Sequence, residues 1–210
     1  MTKSIIFDMD GVLADTEDMH HMIEAEMLKS YGVDIDTKQL VEYAGIDERE
    51  FWRILSERFN FEYDLPIIME KKRAIFDRNV ESIPIFPGVV ALLDSLKLRD
   101  TPFCIASSSE PEMIKRILNK SDLSRYFDIT VSGMEVPNGK PAPDVFLKAA
   151  SILRADPAEC LVFEDSANGI RAAKAAGMRC IAITNTLPAN KLEEADKIID
   201  SLKQFNIEEL

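Results

Sequence analysis

Asp8 and Asp10 stand one residue apart at the end of the apolar run Ser4-Ile5-Ile6-Phe7 and just before Gly11. On an extended strand the side chains at i and i+2 share a face, so both carboxylates could enter one cleft while Met9 turns away. Clustered carboxylates repel each other, and a cation relieves them. Standing alone, the pair reads more simply as turn aspartates flanking a glycine. Three other apolar runs, however, also end in polar groups. Residues 103–106 lead into Ser107-Ser108-Ser109, and residues 161–163 into Glu164-Asp165-Ser166; after 129–131 comes Gly139-Lys140-Pro141-Ala142-Pro143. Ser109 with Glu112 fits a capping box, and a helix start with free amides suits a phosphate oxygen. The two prolines stiffen the segment that carries Lys140, which favours a fixed anion contact over a solvated charge. Asp165 by itself reads as an acidic N-cap. Four such strand ends are hard to explain as four independent caps.

The elements that must position these groups follow from the periodicity. Apolar segments at Ser4–Phe7, 103–106, 129–131, 161–163, 180–184 and 198–199 alternate with helical stretches, which predicts an α/β fold with a Rossmann-like parallel sheet. In such sheets ligands bind beyond the carboxyl ends of the strands, where the polar groups stand. Residues 17–83 carry helical periodicity with no clear strand, for instance at Phe51, Trp52, Leu55 and then Ile68, Ile75, Phe76. The expected organisation is therefore an α/β core of residues 1–16 and 84–210 with a small helical cap, 17–83, inserted after the first strand. Its connections fall at 14–17 and 82–87, the second marked by Pro84, Pro87 and Gly88.

At 210 residues, 46% hydrophobic and 30% charged, with no apolar run long enough for a bilayer, the chain reads as a globular protein with a sizeable core. No secretory leader is visible, so the cytoplasm is the expected compartment. The net charge of -12 argues against nucleic acid or an anionic membrane as partner. A phosphate substrate would have to be drawn in locally, by a bound cation and a few lysines. Cys104, Cys160 and Cys180 are odd in number and set among apolar residues, and read as reduced core residues.

Taken in order, the segments FDMDGVLADT, IASSS, GKPAPDVF and FEDSANGI resemble the haloacid dehalogenase-like hydrolase superfamily across the whole core. The helical insert resembles the cap of its β-phosphoglucomutase and sugar-phosphate phosphatase subgroup. The resemblance implies Mg²⁺-dependent phosphoryl transfer through an aspartyl-phosphate. Asp8 would be the nucleophile and Asp10 the general acid and then base, while Lys140 would balance charge on Asp8 and the phosphoryl group. Ser107, with Ser108 and Ser109, would hold that group. Mg²⁺ would be held by Asp8, the main-chain carbonyl of Asp10, Asp165 and, directly or through water, Glu164. Thr16 and His20 match hinge positions that set the acid-base aspartate as the cap closes. His20, Gly45 and Lys72 match substrate-contacting positions, although Lys72 between Lys71 and Arg73 also reads as part of a solvated charged face. His21 looks expendable, and Arg49 is offset by one residue from the mutase pattern.

Glu24 stands where a tryptophan is common in the mutases, and Asp47-Glu48-Arg49 replaces their serine-arginine segment. Hydrolysis of a small phosphomonoester, a sugar phosphate first, is therefore the expected reaction. The alternatives are mutase-type transfer between sugar positions, a dehalogenase that leaves Asp10 unexplained, and a non-catalytic phospho-receiver that leaves the cap without purpose. The expected partner is a small phosphorylated metabolite, with a monomer as the simplest state.

Overall fold

The structure, a computed structural model, describes residues 3–210. Six strands form one parallel sheet: β1 (Ser4–Phe7), β2 (Phe103–Ser107), β3 (Thr130–Ser132), β4 (Cys160–Glu164), β5 (Arg179–Ile183) and β6 (Lys197–Ile199), in the order β3-β2-β1-β4-β5-β6. Each lies within a residue or two of its expected segment. All four residues of β1 are buried, as a strand covered on both faces requires.

Alternation along the strands divides the core into two layers. Ile5, Phe7, Ile105, Leu161 and Phe163 face one side, packed with α5 (Val89–Leu98) and α6 (Pro111–Lys120). Ile6, Cys104, Ala106, Val162 and Cys180 face the other, packed with α7 (Asp144–Leu153) and α8 (Ala167–Ala175). Phe7 and Phe163 stack with ring centroids 5.3 Å apart on adjacent strands. All three cysteines are free and buried, and burial pushes the Cys104 thiol up to about 12.

Between β1 and α5 the chain forms α1 (Glu17–Lys29), α2 (Thr37–Leu40), α3 (Glu48–Phe59) and α4 (Leu65–Asn79). Asp47 opens α3, its carboxylate accepting from the amides of Arg49 and Glu50. Asp64 opens α4 in the same way through Ile67, with Pro66 in the first turn. Trp52, Leu55, Ile68 and Phe76 are fully buried within this helical segment. The two connections run side by side, since Ala14 bridges to Ile85 in antiparallel fashion and Asp15 N donates to Pro84 O. Among the described residues no helix is long and apolar enough to cross a membrane.

One local expectation is corrected. No capping box forms at the start of α6: Glu110 is the N-cap, without a side-chain hydrogen bond, and Pro111 takes the first helical position. The Ser109 hydroxyl is instead drawn to Asp10, an ionised acceptor and a stronger one than a helix amide.

Candidate active site

Register brings the four polar strand ends together. Phe7 is paired with Ile105 on one side and Phe163 on the other, so the residues that follow emerge at one edge. The turn after β1 closes on itself, with Leu13 N and Ala14 N both donating to Met9 O. Gly11 carries φ +75, and a Cβ there would fall 1.9 Å from Asp165 Oδ2, so glycine is required for both conformation and space.

Lys140 Nζ donates to Asp8 Oδ1 and Glu164 Oε1, each at 2.6 Å, and lies 4.9 Å from the centroid of Phe146 on α7. It is buried, and its ammonium is held above its ordinary value: burial opposes the charge, but Asp8 and Glu164 outweigh it. Glu164 Oε2 accepts from Asp165 N, Ser166 N and Ser166 Oγ, each at 2.9 Å, so Glu164 fixes both Lys140 and the turn that aims Asp165. The N-cap of α8 is Ser166, which accepts from Gly169 N. Asp165 is thereby released from the capping role its position suggested.

Carboxylate oxygens of Asp8, Glu164 and Asp165 lie within 4.8 Å of one another, and all three residues are buried. Asp165 Oδ2 is buried with no hydrogen-bond partner. Burial, and then the neighbouring carboxylates, push the Asp8 and Asp165 carboxyls well above the usual range, with Lys140 only partly offsetting this for Asp8. A compact, all-oxygen, mutually repelling donor set with an unsatisfied oxygen suits a hard divalent cation.

Asp10 turns its side chain the other way. Oδ1 accepts from Thr16 Oγ1 at 2.6 Å and lies 3.0 Å from His20 Nε2; Oδ2 accepts from Ser107 Oγ at 3.1 Å and Ser109 Oγ at 3.0 Å. Burial would raise its carboxyl, but His20, Thr16 and Ser109 outweigh it and hold Asp10 well below the usual range. Burial would likewise lower the His20 imidazole, yet Asp10 raises it above its ordinary value. Asp10 and His20 thus form a buried ion pair, with His20 Nδ1 left without a partner.

Asp8, Asp10 and Asp165 open onto a cavity of about 70 Å³, whose far end is built by the helical segment. Gly45 and Ile46 line it, as does Lys72, which is 2% exposed and therefore not part of a solvated face. Lys72 Nζ donates to Glu24 Oε1 at 2.8 Å and to Glu48 Oε1, and Trp52 Nε1 donates to Glu48 Oε2 at 3.1 Å. Ser108 lines the cavity too, while its hydroxyl donates to Gly45 O at 2.7 Å. His21 is buried against the cavity, 3.6 Å from Glu17, and is no loose surface residue. Arg49 is turned away, donating to Asp47 Oδ2, Gly133 O and Val136 O, and does not line the cavity.

Glu17 and Glu48 escaped sequence reasoning as cavity residues. Burial, then repulsion from Asp10, raises the Glu17 carboxyl to about 7. A signal was present for one of them: Glu17, His20, His21 and Glu24 recur at three- and four-residue spacing, one helical face of polar side chains. Glu48, one residue past an N-cap, carried none.

Residues 5–183 match the family model described as haloacid dehalogenase-like hydrolase. The chain belongs to this family. Among relatives of the hydrolase, a probable pseudouridine-5'-phosphatase of Drosophila melanogaster is 34% identical over 215 residues, covering 97% of this chain and 91% of that protein. A phosphorylated carbohydrates phosphatase of Thermotoga maritima is 32% identical over 216 residues, covering 96% and 99%. The crystal structure of a β-phosphoglucomutase from Clostridium difficile superimposes with a TM-score of 0.86 at 28% identity, covering 100% of this chain and 95% of that one. Two further relatives are longer, and the hydrolase spans 55% and 20% of them.

Proposed function

We propose that the hydrolase is a Mg²⁺-dependent phosphatase that cleaves a small phosphomonoester, a sugar phosphate in the first instance, through an aspartyl-phosphate on Asp8. The observation that carries this reading is the sharing of one cavity by two differently tuned carboxylates, Asp8 beside Lys140 and Asp10 beside His20. In this reading residues 1–16 and 84–210 form the catalytic core and 17–83 a cap that supplies the rest of the substrate pocket.

Asp8 attacks phosphorus, and the bond from phosphorus to the ester oxygen breaks. The departing oxygen takes a proton from Asp10. Asp10 stands ionised, so the proton it passes on is first drawn from protonated His20 Nε2, which lies 3.0 Å from Oδ1. Water then attacks the phosphorus of the aspartyl-phosphate, giving a proton to Asp10 that passes back to His20, and orthophosphate and the Asp8 carboxylate are released. Lys140 holds negative charge on Asp8 and on the phosphoryl oxygens throughout. In this reading the 107–109 segment borders the phosphoryl group, with Ser108 and Ser109 on the cavity wall, while the hydroxyls of Ser107 and Ser109 fix Asp10. Thr16 and His20 sit at the join between core and cap, so Asp10 is oriented by residues of the α1 start. Asp8, Asp165 and the Asp10 carbonyl, with Glu164 behind them, would hold Mg²⁺, which neutralises charge on the transferring group. Gly45, Lys72 and His20 face the remainder of the substrate.

The test is phosphorus NMR of a sugar-phosphate mixture containing β-glucose 1-phosphate and a trace of the 1,6-bisphosphate, with enzyme and Mg²⁺. An orthophosphate peak with loss of one ester is expected. Interconversion of esters without orthophosphate would make the hydrolase a mutase, a reading favoured by its likeness to the β-phosphoglucomutase. Folded Asp8→Asn protein is expected to release no phosphate; retained turnover would overturn the nucleophile assignment.

A further inference from the structure

The far end of the cavity carries a charge arrangement of its own, apart from the carboxylates at the reacting end. Among the described residues lining it, Lys72 is the only lysine or arginine, against six carboxylates. Lys72 is held between Glu24 and Glu48, and Glu48 is itself fixed by the Trp52 indole. All three charged groups are buried, so the far end bears two negative charges and one positive, with little solvent to screen them. Arg49, the nearest sequence candidate for an anion contact, is spent on Asp47 and on the main chain of Gly133 and Val136.

We propose that the Glu24–Lys72–Glu48 triad makes the hydrolase selective for monophosphates whose other end is neutral and hydroxyl-rich, and excludes substrates that carry a second phosphate. This rests on the hydrolase reading above. A hydroxyl both donates and accepts, and the triad offers acceptors on two carboxylates beside donors on one ammonium. A second phosphate would meet a net negative charge instead, and specificity follows from that repulsion as much as from the hydrogen bonds made to the favoured ester. One unit of repulsion at about 6 Å, in surroundings of effective dielectric about 20, corresponds to roughly a hundredfold in affinity.

The deciding measurement compares kcat/KM for fructose 1-phosphate and fructose 1,6-bisphosphate, a pair that differs only in the far group, in wild type, Glu24→Gln and Glu48→Gln. Wild type should prefer the monophosphate by about 100-fold. Each substitution removes one negative charge, and should raise kcat/KM for the bisphosphate while lowering it for the monophosphate, shrinking the preference by about tenfold or more. A wild-type preference near unity, or both esters falling together in both variants, would overturn the assignment, because a merely structural triad moves the two alike. Failure to release orthophosphate from any monophosphate would strike the hydrolase reading instead. Calorimetric binding of the same two esters would then decide the charge argument: tighter monophosphate binding upholds it, and equal or tighter bisphosphate binding, or no binding of either, ends it.

Discussion

Replacing His20 by Gln keeps a side chain able to donate to Asp10 Oδ1 but removes the proton that the imidazole carries. In the wild type Asp10 accepts from Thr16, Ser107 and Ser109 as well as facing His20 at 3.0 Å, so its carboxyl stays ionised unless a neighbour surrenders a proton. A charge-assisted buried contact of this kind is worth about 1.5–3 kcal/mol, which converts to roughly 10- to 150-fold in rate if it is expressed in the transition state. That loss should fall on alkyl esters, whose departing alkoxide must be protonated. It should nearly spare p-nitrophenyl phosphate, whose phenolate departs unaided. The pH profile separates the roles further. Asp10 raises the His20 imidazole above its ordinary value, so the stored proton is present below that raised pKa and is lost as pH rises through it. Turnover of a sugar phosphate should therefore decline on the alkaline side above the usual histidine range, and this limb should vanish in His20→Gln. The assay is orthophosphate release against p-nitrophenolate release over a range of pH, at saturating substrate. Equal losses on the two substrates, or an unchanged alkaline limb in the variant, would refute the proton-store argument and leave His20 as a positioning residue.

Removing Lys140 with Lys140→Met should leave Asp8 and Glu164 buried without their shared partner; a cost of about 3–5 kcal/mol in urea unfolding is expected, with activity lost. Gly11→Ala should be destabilising by about 1–3 kcal/mol and should weaken Mg²⁺ binding, because its Cβ meets Asp165 Oδ2 and its φ is positive; thermal melts with and without Mg²⁺ report both effects. Chelation of divalent cations should abolish phosphate release. Because the Asp8 and Asp165 carboxyls are pushed up, Mg²⁺ binding should expel protons and tighten as pH rises, which calorimetry in buffers of different ionisation enthalpy would detect.

The core of the site was legible because its residues sit where chain direction alone decides their place. A buried apolar run followed at once by Asp8, Ser107 or Glu164 fixes those side chains at the sheet's carboxyl edge, whatever the helices do. Lys140 was legible through its prolines. Residues whose roles depend on how helices pack were not: Lys72 reads in sequence like its exposed neighbour Lys71, and only the approach of α1 and the start of α3 places Glu24 and Glu48 around it. Arg49 illustrates the same limit, since its carbonyl partners lie 84 and 87 residues away along the chain. The Ser109–Glu112 pattern misled because a capping box is a local motif, and a distant carboxylate was the better acceptor for the same hydroxyl.

The seating of the 44–47 loop and the first turn of α3 on the strand ends uses main-chain oxygens almost throughout. Ser108 donates to the Gly45 carbonyl, Asn168 Nδ2 to that of Ala44 at 3.0 Å, and Arg49 to those of Gly133 and Val136. Every amino acid carries the same carbonyl, so the contacts at Ala44 and Gly45 do not read which side chains the loop presents, whereas those to Gly133 and Val136 require Arg49 itself. Gly45 is fixed as well, since a Cβ there would lie 2.2 Å from Ser166 Oγ. The hydrogen bonds at Ala44 and Gly45 would thus survive changes in the loop's side chains, while Ala44, which is buried, and Ile46, which packs on the core, remain limited by volume. How the loop is seated and which side chains it shows the cavity are in that sense partly separable properties of one chain.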